Sequence, residues 1–207
     1  ALASGVRTAE CFELIAAFRR RHPDVPVGIL TYANLVLARG RRAFFAGAAE
    51  AGADSLLVAD LPSLEAEPWV CEMREAGLDP VLIAAANTPQ ETLKTIASLS
   101  GGYTYCVTRP GITGTHKQAR FDPALIDRLR QLGAPPPVFG FGISTPEHVR
   151  AALDAGAAGV ICGSAIVSLV ADAVSPATAV APFVASLKSG ARASSSRLRN
   201  DSCAQAV

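Results

Sequence analysis

Two short glycine-marked stretches late in the chain, GFGIS (Gly140 to Ser144) and CGSAIV (Cys162 to Val167), have the residue types needed to hold a phosphate. Each follows a short apolar run, and each is expected to open a helical segment. Backbone N–H groups at two neighbouring helix starts converge on one anion, and the partial positive charge of a helix end adds attraction. Glycine lets a phosphate oxygen come close without meeting a Cβ. The chemistry indicated first is therefore anion binding.

Other reactive groups give weaker signals. The five cysteines (Cys11, Cys71, Cys106, Cys162, Cys203) form no C-x-x-C pair. Four of them sit inside apolar helix or strand patterns and read as small buried hydrophobes. Cys106 or Cys162 as a nucleophile would need an activating base, and no histidine is placed to serve. His22, His116 and His148 are too scattered to form a metal site with cysteine, and each is expected on an exposed loop or helix. Asp60 is the carboxylate that closes a predicted strand. Taken alone it is the natural candidate for a general acid or base.

The elements that must position these groups repeat. A glycine followed within a few residues by an apolar run recurs at Gly52, Gly77, Gly102, Gly133 and Gly156, at spacings of 25, 25, 31 and 23 residues. Each glycine follows a helical pattern, as a left-handed residue ending a helix would, and each run is short and lacks clean alternation. An earlier unit comprises the helix Ala9 to Arg21, the breakers Pro23 and Pro26, and the strand Val27 to Tyr32. The pattern predicts six buried parallel strands separated by helices. Thr8, Thr88 and Thr145 are N-cap candidates, with Glu91 completing a capping box and Pro89 and Pro146 at the favoured first helical position.

Such alternation allows an open doubly wound sheet or a (β/α) barrel. The polar residues favour the barrel because they fall at strand C-terminal ends: Thr31, Tyr32, Asp60, Tyr105, Thr108, Arg109, Gly140, Gly142, Gly163 and Ser164. Barrel active sites occupy that rim, and phosphate sites recur after the last two strands. An open sheet would carry its glycine-rich turn after the first strand, where no G-x-G-x-x-G appears.

Composition narrows the function classes. With 207 residues, half of them hydrophobic, and a formal charge of +1, the chain suits a compact domain and carries no polyanion-binding surface. No apolar stretch reaches the roughly 18 residues of a membrane span, and the start lacks a signal-peptide pattern, so a cytoplasmic location is expected. Segment Gly190 to Val207, rich in Ser, Arg and Ala, is expected to be a disordered tail after a partial barrel over residues 1–189.

The runs PVGILTYANLV, DSLLVADLP, GYTYCVTRPGITGT, GFGISTPEHV and GAAGVICGSAIV, in that order, resemble the alpha subunit of tryptophan synthase over roughly Thr8 to Lys188. The resemblance implies a (β/α)8 TIM barrel of which this chain carries six of the eight βα units. It implies a lyase of tryptophan biosynthesis that cleaves indole-3-glycerol phosphate to indole and glyceraldehyde 3-phosphate. Indole would pass to a beta subunit in an alpha-beta-beta-alpha assembly. No metal and no cofactor is implied for this subunit, and pyridoxal phosphate is expected only in the beta partner. By the same resemblance Gly142, Gly163 and Ser164 hold the phosphate with Phe141 and Gly114 beside it. Tyr32, Leu57, Ala59 and Tyr105 line the indole pocket, and Thr113 sits in a lid loop. Because the family's chemistry resides elsewhere, the resemblance implies that Asp60 caps the helical segment that follows it or contacts that loop.

The chain departs from the family at the chemistry itself. The family's catalytic glutamate and aspartate have no match and would lie upstream of Ala1, together with two further units. The 207 residues are thus expected to be inactive by themselves. The alternatives are a non-catalytic phosphate-binding partner or activator of the beta subunit, and a different phosphate-handling barrel with a catalytic Lys, Cys or Asp on its rim.

Overall fold

The computed structural model describes residues 5–107, 121–173 and 175–204, with residues 192–204 described by their backbone alone. Contacts divide the chain into two units, Ala1–Ile83 with Gln90–Thr104, and Ala84–Pro89 with Tyr105–Val207.

The first unit holds α1 (Thr8–Arg21), β1 (Gly28–Thr31), α2 (Ala33–Arg39), α3 (Arg41–Glu50), β2 (Ser55–Val58), a 3-10 turn (Ser63–Glu65), α4 (Glu67–Glu75), β3 (Asp79–Pro80) and α5 (Gln90–Leu99). Strands β1, β2 and β3 form a parallel sheet in that order, with Gly28 opposite Ser55 and Leu56 opposite Pro80. All four residues of β2 are buried, as expected for a central parallel strand covered on both faces. Its core joins Phe12 of α1, Val36 of α2, Phe44, Phe45 and Ala48 of α3, Leu56 and Val58 of β2, and Met73 of α4. The Phe12 and Phe44 rings meet edge to face at 5.3 Å. Arg19 ties α1 to the turn before β2 by donating to the carbonyl of Gly52 and to the Asp54 carboxylate.

Strands β4 (Ile83–Ala85) and β5 (Thr104–Val107) begin in the first unit and end in the second. The second unit continues with α6 (Pro123–Gln131), β6 (Pro137–Gly140), α7 (Pro146–Asp154), β7 (Gly159–Val160), α8 (Ser164–Asp172) and α9 (Pro176–Ala204). Its sheet has the order β4-β5-β6-β7, and β6 and β7 run parallel.

Four of the recurring glycines end helices as their spacing predicts, whereas Gly102 stands three residues beyond the end of α5. Gly52, Gly77, Gly102, Gly133 and Gly156 all have positive φ, between 62° and 97°. At four of them the next residue's N–H reaches back to a carbonyl five positions earlier: Ala53 to Ala48, Leu78 to Met73, Ala134 to Leu129 and Ala157 to Ala152. This closure satisfies carbonyls at the helix end and turns the chain directly into the next strand.

Several expectations are corrected. The third apolar run forms two short strands, so the described residues contain seven strands where six runs were read. The run stays bonded to β2 as far as Val81, whose N–H donates to Leu56 O at 2.9 Å, and β4 begins at Ile83. Arg7 occupies the N-cap of α1, and Thr8 is its first residue. The Thr88 hydroxyl accepts from the Ala85 N–H at 2.9 Å and shapes the turn before α5, while Glu91 pairs with Lys94. Thr145 does cap α7, accepting from His148 N–H at 3.3 Å, with Pro146 in the first helical position.

Helix α9 runs on through Ala204. Alanine, arginine and leucine favour helix, and no proline interrupts the chain after Gly190. Cys11 and Cys71 lie exposed on α1 and α4 rather than buried. No helix among the described residues is long and apolar enough to cross a membrane.

A Cβ at Gly133 would meet no other atom, so only its φ of +67° resists a side chain. Gly133→Ala should lower unfolding free energy by about 1 kcal/mol in urea titration, and an unchanged midpoint would contradict the left-handed closure.

Candidate functional site

Both glycine turns lie in the second unit, and the pairing of two strands brings them together. Val138 stands opposite Gly159 and Phe139 opposite Val160. Bonds from Ala158 N–H to Pro137 O and from Ile161 N–H to Phe139 O, each 2.8 Å, extend the ladder at both ends. The chain then leaves β6 through Gly140–Phe141–Gly142 and β7 through Cys162–Gly163. Beyond the ladder the Cys162 thiol donates to the carbonyl of Ile143 at 3.0 Å. The residues flanking Gly142 and Gly163 are thereby joined.

The first turn holds a backbone conformation that L side chains rarely adopt. Gly142 has φ of +73°, which suits glycine, whereas Phe141 has φ of +70° and is 38% exposed. A bulky residue held at positive φ stores strain, and such residues cluster where a ligand is gripped. The second turn leads straight into α8. The amides of Ile166 and Val167 both return to Gly163 O at 2.9 and 3.0 Å, leaving those of Ser164 and Ala165 with no intrahelical acceptor. A Cβ at Gly163 would meet nothing within 4 Å, so the chain's own packing does not demand glycine there. The open side is available to a ligand oxygen.

Each turn leads into a helix as expected, α7 after the first and α8 after the second, but the two helix starts are not equivalent. Helix α7 starts four residues after Gly142, and its N-terminus is already satisfied. Thr145 accepts from His148 N–H, and the Ser144 N–H donates to His148 Nδ1 at 3.4 Å. Glu147 lies in the first turn, where its own backbone N–H and then the Thr145 hydroxyl hold its carboxyl below the usual range. Only α8 offers its positive end to an anion. Neither stretch contains Lys or Arg, so attraction rests on backbone amides and a partial charge of about half a unit.

Neighbouring side chains brace this arrangement. Ile143 is buried with Val149 and Leu187, and Phe183, Cys162 and Phe121 pack against them, so α9 supports both turns. Gly190 of α9 lies so close to Pro146 that an added Cβ would stand 2.2 Å from its carbonyl oxygen. On the other side Tyr105 of β5, 6% exposed, presses its hydroxyl against Gly140. A Cβ at Gly140 would stand 1.9 Å from that oxygen. Glycine at the end of β6 is required by the tyrosine.

The remaining residues singled out from sequence lie as follows. Tyr32 is 55% exposed and stands at the N-cap of α2, which excludes a core role for it. Leu57 is buried in β2, and Ala59, half-buried just after that strand, donates its N–H to Thr31 O at 2.8 Å. These three belong to the first unit, and Tyr105, Phe141, Gly142, Gly163 and Ser164 to the second. Gly114 and Thr113, with Thr108 and Arg109, lie outside the described residues.

Asp60 caps a helix, though not one that follows it. Its carboxylate accepts from the N–H of Ala33, the first residue of α2, at 2.7 Å. Negative charge at a helix N-terminus is stabilising, and this geometry assigns Asp60 to structure. Cys106 is buried, and burial pushes its thiol up to about 12 against a backbone bond from Val138, which disfavours the thiolate.

A profile of the family described as tryptophan synthase alpha chain matches residues 1–193. The chain belongs to the tryptophan synthase alpha chain family. It is 44% identical over 194 residues to the alpha chain of Vibrio vulnificus (strain YJ016), covering 91% of this chain and 72% of the relative. The alpha chain of Serratia proteamaculans (strain 568) is 44% identical over 198 residues, covering 93% and 74%. A crystal structure of the tryptophan synthase complex from Pyrococcus furiosus superposes with a TM-score of 0.79 at 33% identity, covering 91% of this chain and 76% of that one. The fold class is accordingly that of a partial (β/α)8 barrel, and the family is one of lyases in tryptophan biosynthesis.

Sequence reasoning did not find the Cys162–Ile143 bond, the Tyr105–Gly140 contact or the bracing by Leu187 and Gly190. Glycine at a strand end was the available signal for the second of these.

Gly140→Ala should cost about 2 to 3 kcal/mol of stability, and much less in a Tyr105→Ala background. Equal costs in the two backgrounds would contradict the contact. Alkylation of the native protein should modify the exposed Cys11 and Cys71 and spare Cys106 until unfolding, as read by mass spectrometry of the peptides.

Proposed function

We propose that the chain acts within the alpha-subunit reaction, the retro-aldol cleavage of indole-3-glycerol phosphate to indole and glyceraldehyde 3-phosphate. Gly142, Gly163 and Ser164 bind the phosphate, with Phe141 and Gly114 beside it. Tyr32, Leu57, Ala59 and Tyr105 take the indole, and Thr113 belongs to the covering loop. The observation that carries this reading is the pair of tied glycine turns with α8 directed at their opening. A substrate held by its phosphate keeps its reacting end oriented, which lets binding at one end assist chemistry at the other.

The chain needs no cofactor of its own in this reading, and its partner is the beta subunit that takes up indole. Assembly with beta subunits as an alpha-beta-beta-alpha tetramer follows from the likeness to the alpha2beta2 complex from Pyrococcus furiosus.

The 207 residues bind the phosphate ester without turning it over. Among the described residues, the carboxylate within two positions of a strand's C-terminal end is Asp60, and it is engaged by α2. Each positioned proton-transfer group contributes typically ~100- to 10,000-fold, so a chain lacking both has almost no rate left. The same observation favours a second reading, a phosphate-binding activator of the beta subunit.

Indole release from indole-3-glycerol phosphate separates these readings. The 207-residue chain, alone or with a relative's beta subunit, should release indole at the background rate. A version extended upstream with the Vibrio vulnificus N-terminal segment should be active. Turnover by the 207 residues would contradict the inactive reading. Faster tryptophan synthesis by the beta subunit without indole release would favour the activator.

A further inference from the structure

We propose that Cys162 is a positioning residue for the anion site, its thiol holding the two glycine turns in register through the carbonyl of Ile143. The inference rests on the phosphate reading of those turns. Cys162 immediately precedes Gly163, and Ile143 immediately follows Gly142. The S–H to carbonyl distance of 3.0 Å therefore joins the neighbours of two residues whose amides must face one anion.

The bond stands where the sheet stops holding the two segments. The ladder between β6 and β7 ends, among the described residues, with Ile161 N–H on Phe139 O at 2.8 Å. One residue later the paths separate, toward α7 on one side and α8 on the other. The thiol bond spans that gap. Its acceptor is well fixed, because Ile143 is 4% exposed under Leu187 of α9.

Protonation suits the role. Burial pushes the Cys162 thiol up, opposed by the backbone amide of Ile166, so at neutral pH the sulfur carries the proton that it donates. Simple space filling is the competing account, since cysteine often serves as a small hydrophobe. The two accounts differ over valine, which keeps the shape and removes the donor, and over serine, which keeps a donor in a smaller side chain.

The test is inorganic phosphate affinity by calorimetry on the 207-residue chain, with thermal unfolding measured in parallel. Cys162→Val should weaken phosphate binding roughly three- to ten-fold, the loss of one hydrogen bond. Cys162→Ser should stay within about two-fold of the parent, which is rescue by the conservative variant. Cys162→Ala should show the valine loss and covers the case in which the valine variant does not fold. Leu93→Ala, a buried change in the other unit, should lower the unfolding temperature while leaving phosphate affinity in place. Parent-like binding by the valine and alanine variants, or a serine loss as large as theirs, would overturn the role of Cys162. Failure of the parent chain to bind phosphate would instead overturn the anion site, and this inference with it.

Discussion

The parallel pairing of Val138 with Gly159 and Phe139 with Val160 is the constraint on which the candidate site depends. Only a few ladder bonds set the spacing of the two glycine turns, and neither turn carries a cationic side chain. An anion held by backbone amides needs them fixed beforehand, because each amide contributes little if it must first be ordered. The surroundings supply that rigidity. Tyr105 presses on Gly140, α9 covers Ile143, and the Cys162 thiol reaches the Ile143 carbonyl. The strained backbone at Phe141 persists because its neighbours over-determine it.

Local signals were legible in the sequence. A glycine closing a helix is readable because a left-handed residue is a demand of its own backbone, and Gly52, Gly77, Gly133 and Gly156 all meet it. Thr145 and Pro146 mark the start of α7 for the same reason, since cap and helix lie within one turn. Long-range pairings were not legible. Asp60 binds the amide of Ala33, 27 positions away, and nothing near either residue announces the other. Whether a cysteine is buried depends on which helix face meets the sheet, and so Cys11 and Cys71 misled while Cys106 did not.

Position within the fold also explains why the phosphate grip can be described apart from the reaction. The proposed grip lies in the second unit, on the turns that follow β6 and β7. Of the proposed indole-lining residues, Tyr32 and Ala59 follow strands of the first unit and Leu57 lies in β2, while Tyr105 belongs to the second; the rim carboxylate of the first unit is committed to a helix end. In the proposed reading the phosphate contacts come from the second unit and most of the indole contacts from the first. Barrel rims allow this division because each βα loop varies independently of the strands beneath it.

The central claim is that backbone amides of the two turns hold the phosphate. Titration of the isotope-labelled chain with inorganic phosphate, followed by amide NMR shifts, tests it most directly. The account predicts saturable shifts concentrated at Gly142, Gly163, Ser164 and Ala165, with little change at the self-capped start of α7. Shifts centred on His148 and Val149 instead, or none that saturate, would contradict it.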